Sequence, residues 1–145
     1  MYTTIAQLLT GKGSEIYSVT PDQTVYDAIC AMAERGVGAL VVLEGERLAG
    51  IISERDYARK IILKGRNSRE TLVRDIMTSE VITVTPERTV NDCLKLMTNN
   101  RVRHLPVHDG DSLLGMISIG DLVNAVINDQ KETIEHLSQY IAGQA

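Results

Sequence analysis

The sequence predicts an α/β protein built from two tandem repeats, each read as strand, helix, strand, strand, helix. The repeats are expected to pack sheet to sheet about a pseudo-twofold axis, with a helical extension at the C-terminus. Three observations predict this. The 145-residue chain aligns with itself without a gap at a shift of about 65 residues, so that Val19-Thr20-Pro21 meets Val84-Thr85-Pro86. The punctuation residues match as well: Asp27 meets Asp92, Gly45 meets Gly110, Gly50 meets Gly115 and Asp56 meets Asp121. Finally, a unit of this size has a small sheet with helices on one side only, so the other side needs a cover that its twin can supply.

The elements follow in order. Ile16-Tyr17-Ser18-Val19 is a short β-rich run ended by Pro21. Thr24 can cap a helix whose stripe is Val25, Ala28, Ile29 and Met32, and Gly36 and Gly38 close it. Ala39 to Leu43 and Leu48 to Ile52 read as buried strands joined by the turn Glu44-Gly45-Glu46-Arg47. A second helix is expected from Glu54 to about Ile62. Lys64 to Glu70 is polar and loop-like, and Val73 to Met77 forms a helical turn. The second repeat then runs through a strand at Val81–Val84 and a helix from Thr89 to about Thr98. Strands at His104–His108 and Leu113–Ser118 follow, and then a helix from about Ile119. The expected organisation is residues 1–66 for the first repeat, 67–128 for the second and 129–145 for a helical tail. Val123, Ile127, Gln130, Ile134, Leu137 and Ile141 alternate spacings of four and three along that last helix, a coiled-coil-like seam.

Composition removes several function classes. With 15 basic and 19 acidic residues the net charge is −4, which disfavours a dedicated nucleic-acid binder. Five Tyr and no Phe or Trp leave little for stacking on single strands. No apolar run approaches the roughly 20 residues that cross a bilayer, and the first residues do not read as a signal peptide. Cys30 and Cys93 sit in apolar helical patterns and read as reduced core cysteines of a cytoplasmic protein. Ser53 and Ser118 lack a His–Asp pattern for nucleophilic attack, and the His104, His108, Asp109 spacing is not diagnostic of a metal, so the chain reads as no enzyme.

The residues that carry chemistry are also doubled. Gly50-Ile51-Ile52-Ser53-Glu54-Arg55-Asp56 and Gly115-Met116-Ile117-Ser118-Ile119-Gly120-Asp121 each place a serine at a strand end and an aspartate one helical turn in. A capping pair is one reading. The other is nucleoside binding, with the hydroxyl and helix N-terminus toward a phosphate and the carboxylate toward ribose hydroxyls. Duplication in register at the mouth of an inter-repeat cleft favours the second. The copies differ where a ligand would notice. Gly36, Gly38 and Ala39 correspond to Arg101, Arg103 and His104, a positive cluster suited to phosphate, while Arg55 and Arg59 correspond to Gly120 and Asn124.

Over about residues 1–128 the chain resembles a pair of cystathionine-β-synthase (CBS) domains, the Bateman module. The resemblance rests on Thr20-Pro21 with Thr24-Val25, on Arg103-His104-Leu105-Pro106-Val107, and on the two Gly-x-x-Ser-x-x-Asp strings. It implies paired βαββα units, clefts that hold adenine nucleotides, and dimers. Carried over, Asp56 and Asp121 would bind ribose, Ser53 and Ser118 ribose or phosphate, and Arg103 with His104 phosphate. Backbone near Tyr17 and Ser18, or Ile82 and Thr83, would face the adenine. Arg55 and Arg101 complete the expected ligand-binding set. The expectation is a cytoplasmic, homodimeric regulatory sensor of an adenine nucleotide, AMP first and then NAD(H) or ATP, acting on an unidentified target protein. The alternative is an assembly module without a nucleotide response.

Overall fold

The computed structural model describes residues 2–13 and 15–144. Helix α1 (Ile5–Lys12) precedes the first repeat, which contains β1 (Ser18–Val19), α2 (Val25–Arg35), β2 (Ala39–Glu44), β3 (Arg47–Ser53) and α3 (Glu54–Tyr57). A π-helical turn, Ala58–Ile62, prolongs α3. Helix α4 (Val73–Ile76) leads into the second repeat, with α5 (Val90–Asn100), β4 (His104–Asp109), β5 (Ser112–Ser118) and α6 (Ile119–Gln144).

The duplication extends to the hydrogen-bond register. β1 pairs in parallel with β2 through Val19 and Val42, and Val84 makes the matching parallel bridge to Val107. The antiparallel pairs β2–β3 and β4–β5 carry the same irregularity, after Val42 and after Val107. The expected strand at Val81–Val84 needs correction: Val84 alone bridges, leaving β4–β5 a two-stranded sheet. Likewise Ile16 to Val19 contributes only Ser18 and Val19. Both edge segments stop at a Thr-Pro pair, where proline has no N–H to continue a ladder.

Each repeat has its own apolar cluster. Leu40, Val42 and Ile52 meet Val25, Ala28 and Met32 of α2 in the first, and Leu105, Val107 and Ile117 meet Val90, Cys93 and Met97 of α5 in the second. Cys93 is thus a core residue as expected, whereas Cys30 lies exposed on α2. Along β2 and β4 the alternate residues, Ala39, Val41 and Pro106, point away from those clusters and are nevertheless buried. Both faces of these strands are therefore covered, as the sheet-to-sheet arrangement requires.

The segments preceding the repeats are exchanged. Ile5 and Leu9 of α1 complete the core of the second repeat, whereas Val73 and Ile76 of α4 complete the core of the first. The exchange is itself duplicated: Ile5 N–H donates to Arg88 O and Ala6 N–H to Pro86 O, while Val73 N–H donates to Gln23 O and Arg74 N–H to Pro21 O. The offset of these segments is 68 residues rather than 65, which hides the match in an ungapped alignment. Glycine permits the close approach. A Cβ at Gly50 would lie 2.8 Å from both Met77 Sδ and the Thr78 carbonyl, and one at Gly115 would lie 3.2 Å from Leu9 Cδ2.

Candidate functional site

At the two strand-to-helix corners the capping chemistry is realised. Ser53 Oγ accepts from Asp56 N–H at 3.2 Å, while Asp56 Oδ2 accepts from Ser53 N–H at 2.9 Å and from its hydroxyl at 3.1 Å. Ser118 and Asp121 repeat the exchange, at 3.2 Å and 2.8 Å. The same reciprocal pair occurs at Thr24–Asp27 and Thr89–Asp92, so the cap alone does not set the serine corners apart.

What sets them apart is a lysine on each carboxylate. Lys60 Nζ lies 3.1 Å from Asp56 Oδ1 and donates to Ile76 O. Lys12 Nζ, at the end of α1, lies 2.5 Å from Asp121 Oδ2 and 2.6 Å from Met116 O. Burial pushes the Asp121 carboxyl up, but the hydrogen bonds from Lys12 and Ser118 and the lysine charge outweigh it, so its pKa is lowered. Sequence reading missed both lysines. Lys60 is legible as an i,i+4 partner of Asp56; Lys12 is distant in sequence and gave no signal.

The arginines that distinguish the copies meet in one place. Arg55, Arg59, Arg101 and Arg103 line a cleft of about 360 Å³ with Met97, Thr98, Val102 and Ile119. Arg55 Nη1 donates to the Arg101 carbonyl at 3.0 Å, joining the start of α3 to the end of α5. No carboxylate lines this cleft, and among the described residues none of its four guanidinium groups lies within 4.0 Å of one. Arg59 occupies the π turn, whereas its counterpart Asn124 lies in regular helix. Arg101 caps α5 in the left-handed region, at φ 55° and ψ 40°, where the counterpart Gly36 has φ 67° and ψ 35°. An arginine there is held in a conformation that glycine adopts freely.

The remaining expected residues divide. The His104 ring lies against Gly38 of the other repeat, with Cε1 3.7 Å from where a Cβ would stand. Burial lowers the His104 pKa, the charges of Lys12 and Arg103 lower it further, and Asp121 opposes them. Asp121 and Lys12 line a second groove, of about 520 Å³, between α1 and α6. Ser53, Asp56, His104 and Ser118, like Tyr17, Ser18, Ile82 and Thr83, line neither opening. The Tyr17 hydroxyl donates to Glu15 at 3.0 Å, and Arg35 stacks on its ring at 4.9 Å. The structure thus gathers the arginines across the repeats but keeps Asp121 in a different opening.

The family model for the CBS domain matches residues 13–63 and again 73–128. The chain is a tandem CBS-domain protein. The CBS domain-containing protein CBSX3, mitochondrial, of Arabidopsis thaliana is 49% identical over 97% of this chain and 73% of its own. A solved structure of a protein with CBS domains from Burkholderia ambifaria is 53% identical, with a TM-score of 0.85, over 88% of this chain and 96% of that one. A hexameric CBS-CP12 protein from bloom-forming cyanobacteria is 28% identical, with a TM-score of 0.76, over 85% of this chain and 67% of that one. CBS domains form a regulatory, ligand-binding family whose members bind adenine nucleotides and assemble into oligomers. No helix among the described residues is long and apolar enough to cross a membrane.

Proposed function

We propose that this CBS pair is a non-catalytic sensor of an adenine nucleotide whose phosphates lie among Arg55, Arg59, Arg101 and Arg103. The observation that carries the reading is the cleft itself: four arginines, two from each repeat, line it with no carboxylate in its wall. Like charges drawn together lower their mutual repulsion when an anion enters, and a guanidinium fork suits phosphate oxygens. Asp56, which shares the first turn of α3 with Arg55, is the ribose partner, with Ser53 beside it. Its lysine, Lys60, would give way to the ribose hydroxyls. Asp121 with Ser118 forms the weaker second position, because Lys12 sits closer on its carboxylate, at 2.5 Å, than Lys60 on Asp56, at 3.1 Å, and because Asp121 lies away from the arginine cleft. Backbone near Tyr17 and Ser18, or Ile82 and Thr83, would face the adenine. AMP is the first candidate, followed by NAD(H) and ATP.

The signal is mechanical. A phosphate held by arginines of both repeats favours one relative arrangement of them, and a target protein reads that arrangement. The serine hydroxyls cap helices, in keeping with binding rather than turnover. The proposed setting is the cytoplasm; the relative named as mitochondrial carries the same family in an organelle.

Calorimetry with AMP, ADP, ATP, NAD and NADH tests the reading. Saturable binding that is lost in Arg55→Ala/Arg103→Ala and weakened in Asp56→Asn is the expected result. Absence of binding by every nucleotide at millimolar concentration overturns it and leaves the assembly role.

A further inference from the structure

Helix α1 is fastened to the second repeat differently at its two ends. At its start Val90 N–H donates to Thr3 O at 2.9 Å, Ile5 N–H to Arg88 O at 2.8 Å and Ala6 N–H to Pro86 O at 2.9 Å, and the Ile5 side chain is fully buried. At its end Leu9 is the last buried residue, and Thr10, Gly11, Lys12 and Gly13 are exposed. Among the described residues, the only hydrogen bonds from residues 9–13 to the second repeat come from the Lys12 ammonium, to Asp121 Oδ2 and Met116 O. The turn it holds is weak by itself, since glycine stands at positions 11 and 13 and is the poorest helix former after proline.

The first repeat has a firmer fastening at the equivalent place. Ile51 is the counterpart of Met116, and it exchanges backbone hydrogen bonds with Thr78 just past α4: Ile51 N–H donates to Thr78 O at 3.0 Å and Thr78 N–H to Ile51 O at 2.9 Å. Lys60 also joins Asp56 to Ile76 O, the last carbonyl of α4, but it only adds to a bridge already made. At Met116 no such bridge exists among the described residues, and Lys12 supplies the donor that Thr78 supplies to Ile51. That same ammonium rests on Asp121. Asp121 Oδ2 accepts from Ser118 N–H at 2.8 Å as well as from Lys12, so both lone pairs of that oxygen are taken. Ribose hydroxyls that grip both carboxylate oxygens must displace the lysine.

We propose that Lys12 is a ligand-released latch: when ribose hydroxyls take the Asp121 carboxylate, the last turn of α1 is freed, while α4 stays bound whatever occupies Asp56. The proposal rests on the nucleotide reading of the Asp121 position. The start of α1 remains anchored by its backbone bonds, so the helix frays from its end only. The freed turn is a wall of the groove between α1 and α6, with Gly11 and Lys12 facing Asn124 and Asn128. The groove changes shape with occupancy, and a target protein distinguishes the two states there.

Amide hydrogen exchange of the full chain, read by mass spectrometry at residues 10–13 and 74–78, tests the proposal together with calorimetry. Without nucleotide, Lys12→Met should speed exchange at 10–13 about fivefold, and Lys60→Met should leave 74–78 unchanged. Saturating AMP should bring wild-type exchange at 10–13 to the Lys12→Met level and add nothing in that variant. Unchanged exchange at 10–13 in Lys12→Met overturns the latch, and faster exchange at 74–78 in Lys60→Met overturns the contrast between the two helices. AMP binding that Asp121→Asn weakens, with 10–13 still protected, overturns the release. If calorimetry finds no nucleotide at Asp121, the nucleotide reading of that position falls and the release falls with it, while faster exchange in Lys12→Met still upholds the clamp.

Discussion

Lys12 Nζ stands 2.5 Å from Asp121 Oδ2, so the last residue of α1 neutralises the carboxylate that opens α6, 109 residues away. The lysine is partly exposed, and removing it by Lys12→Met should cost no more than about 1 kcal/mol of stability. The same change frees the carboxylate, so the second nucleotide position should gain affinity where the fold loses stability. The Asp121 pKa is lowered in the folded protein, so its contribution is present above the ordinary carboxylate range and fades as pH falls through the folded value. Urea unfolding below about pH 5 should therefore be less pH-dependent in Lys12→Met than in wild type.

His104 works in a different pH window. Its pKa is lowered from 6.5 by burial and by the Lys12 and Arg103 charges, so the unfolded chain takes up its proton first as pH falls. Its stability contribution is whole above pH 6.5 and is lost below that value, through the folded pKa. His104→Gln should flatten the fall in urea midpoint between about pH 7 and pH 5. An unchanged slope would show that the ring is not held neutral.

Arg101 sets stability against binding. Replacing a left-handed arginine with glycine, the residue at the equivalent Gly36, should stabilise the fold by about 1 kcal/mol. It should also weaken nucleotide binding, since one of four guanidinium groups leaves the cleft. Thermal unfolding and calorimetry on Arg101→Gly should therefore move in opposite directions.

The two equivalent glycines should respond unequally to alanine. At Gly50 a methyl group meets the Thr78 backbone at 2.8 Å, and a backbone atom yields poorly. At Gly115 it meets the tip of Leu9 at 3.2 Å, a side chain that can turn aside. Gly50→Ala should cost roughly 1–3 kcal/mol and Gly115→Ala clearly less, as read from denaturant midpoints.

The repeat was legible because identical residues stand at points where backbone geometry leaves little choice: Pro21 and Pro86 at strand ends, Gly45 and Gly110 at hairpin turns. Helix positions followed from Thr24 and Thr89, whose caps form as their sequence suggests. The strand at Val81–Val84 was over-read because a β-rich run says nothing of whether a neighbour lies alongside to pair with it. Helix α1 was passed over because Ile5, Leu8 and Leu9 make a short stripe whose partners lie in the second repeat, from Val84 onward. In the candidate site, Arg55 and Arg101 were each visible as charges unmatched in the other copy. Their meeting was not, since it depends on how one repeat sits against the other. Lys12 shows the same limit, as local spacing cannot reveal a contact made by tertiary packing.

The exchanged helices have a consequence for synthesis. When the first repeat leaves the ribosome its core is open, because Val73 and Ile76 have not yet been translated, while Ile5 and Leu9 wait for a docking place made last of all. Neither half can mature before the other, and a nascent chain stalled near residue 66 should present exposed apolar surface to chaperones. Cutting the protein between its repeats, however polar the loop there, should yield two unfinished pieces rather than two small domains.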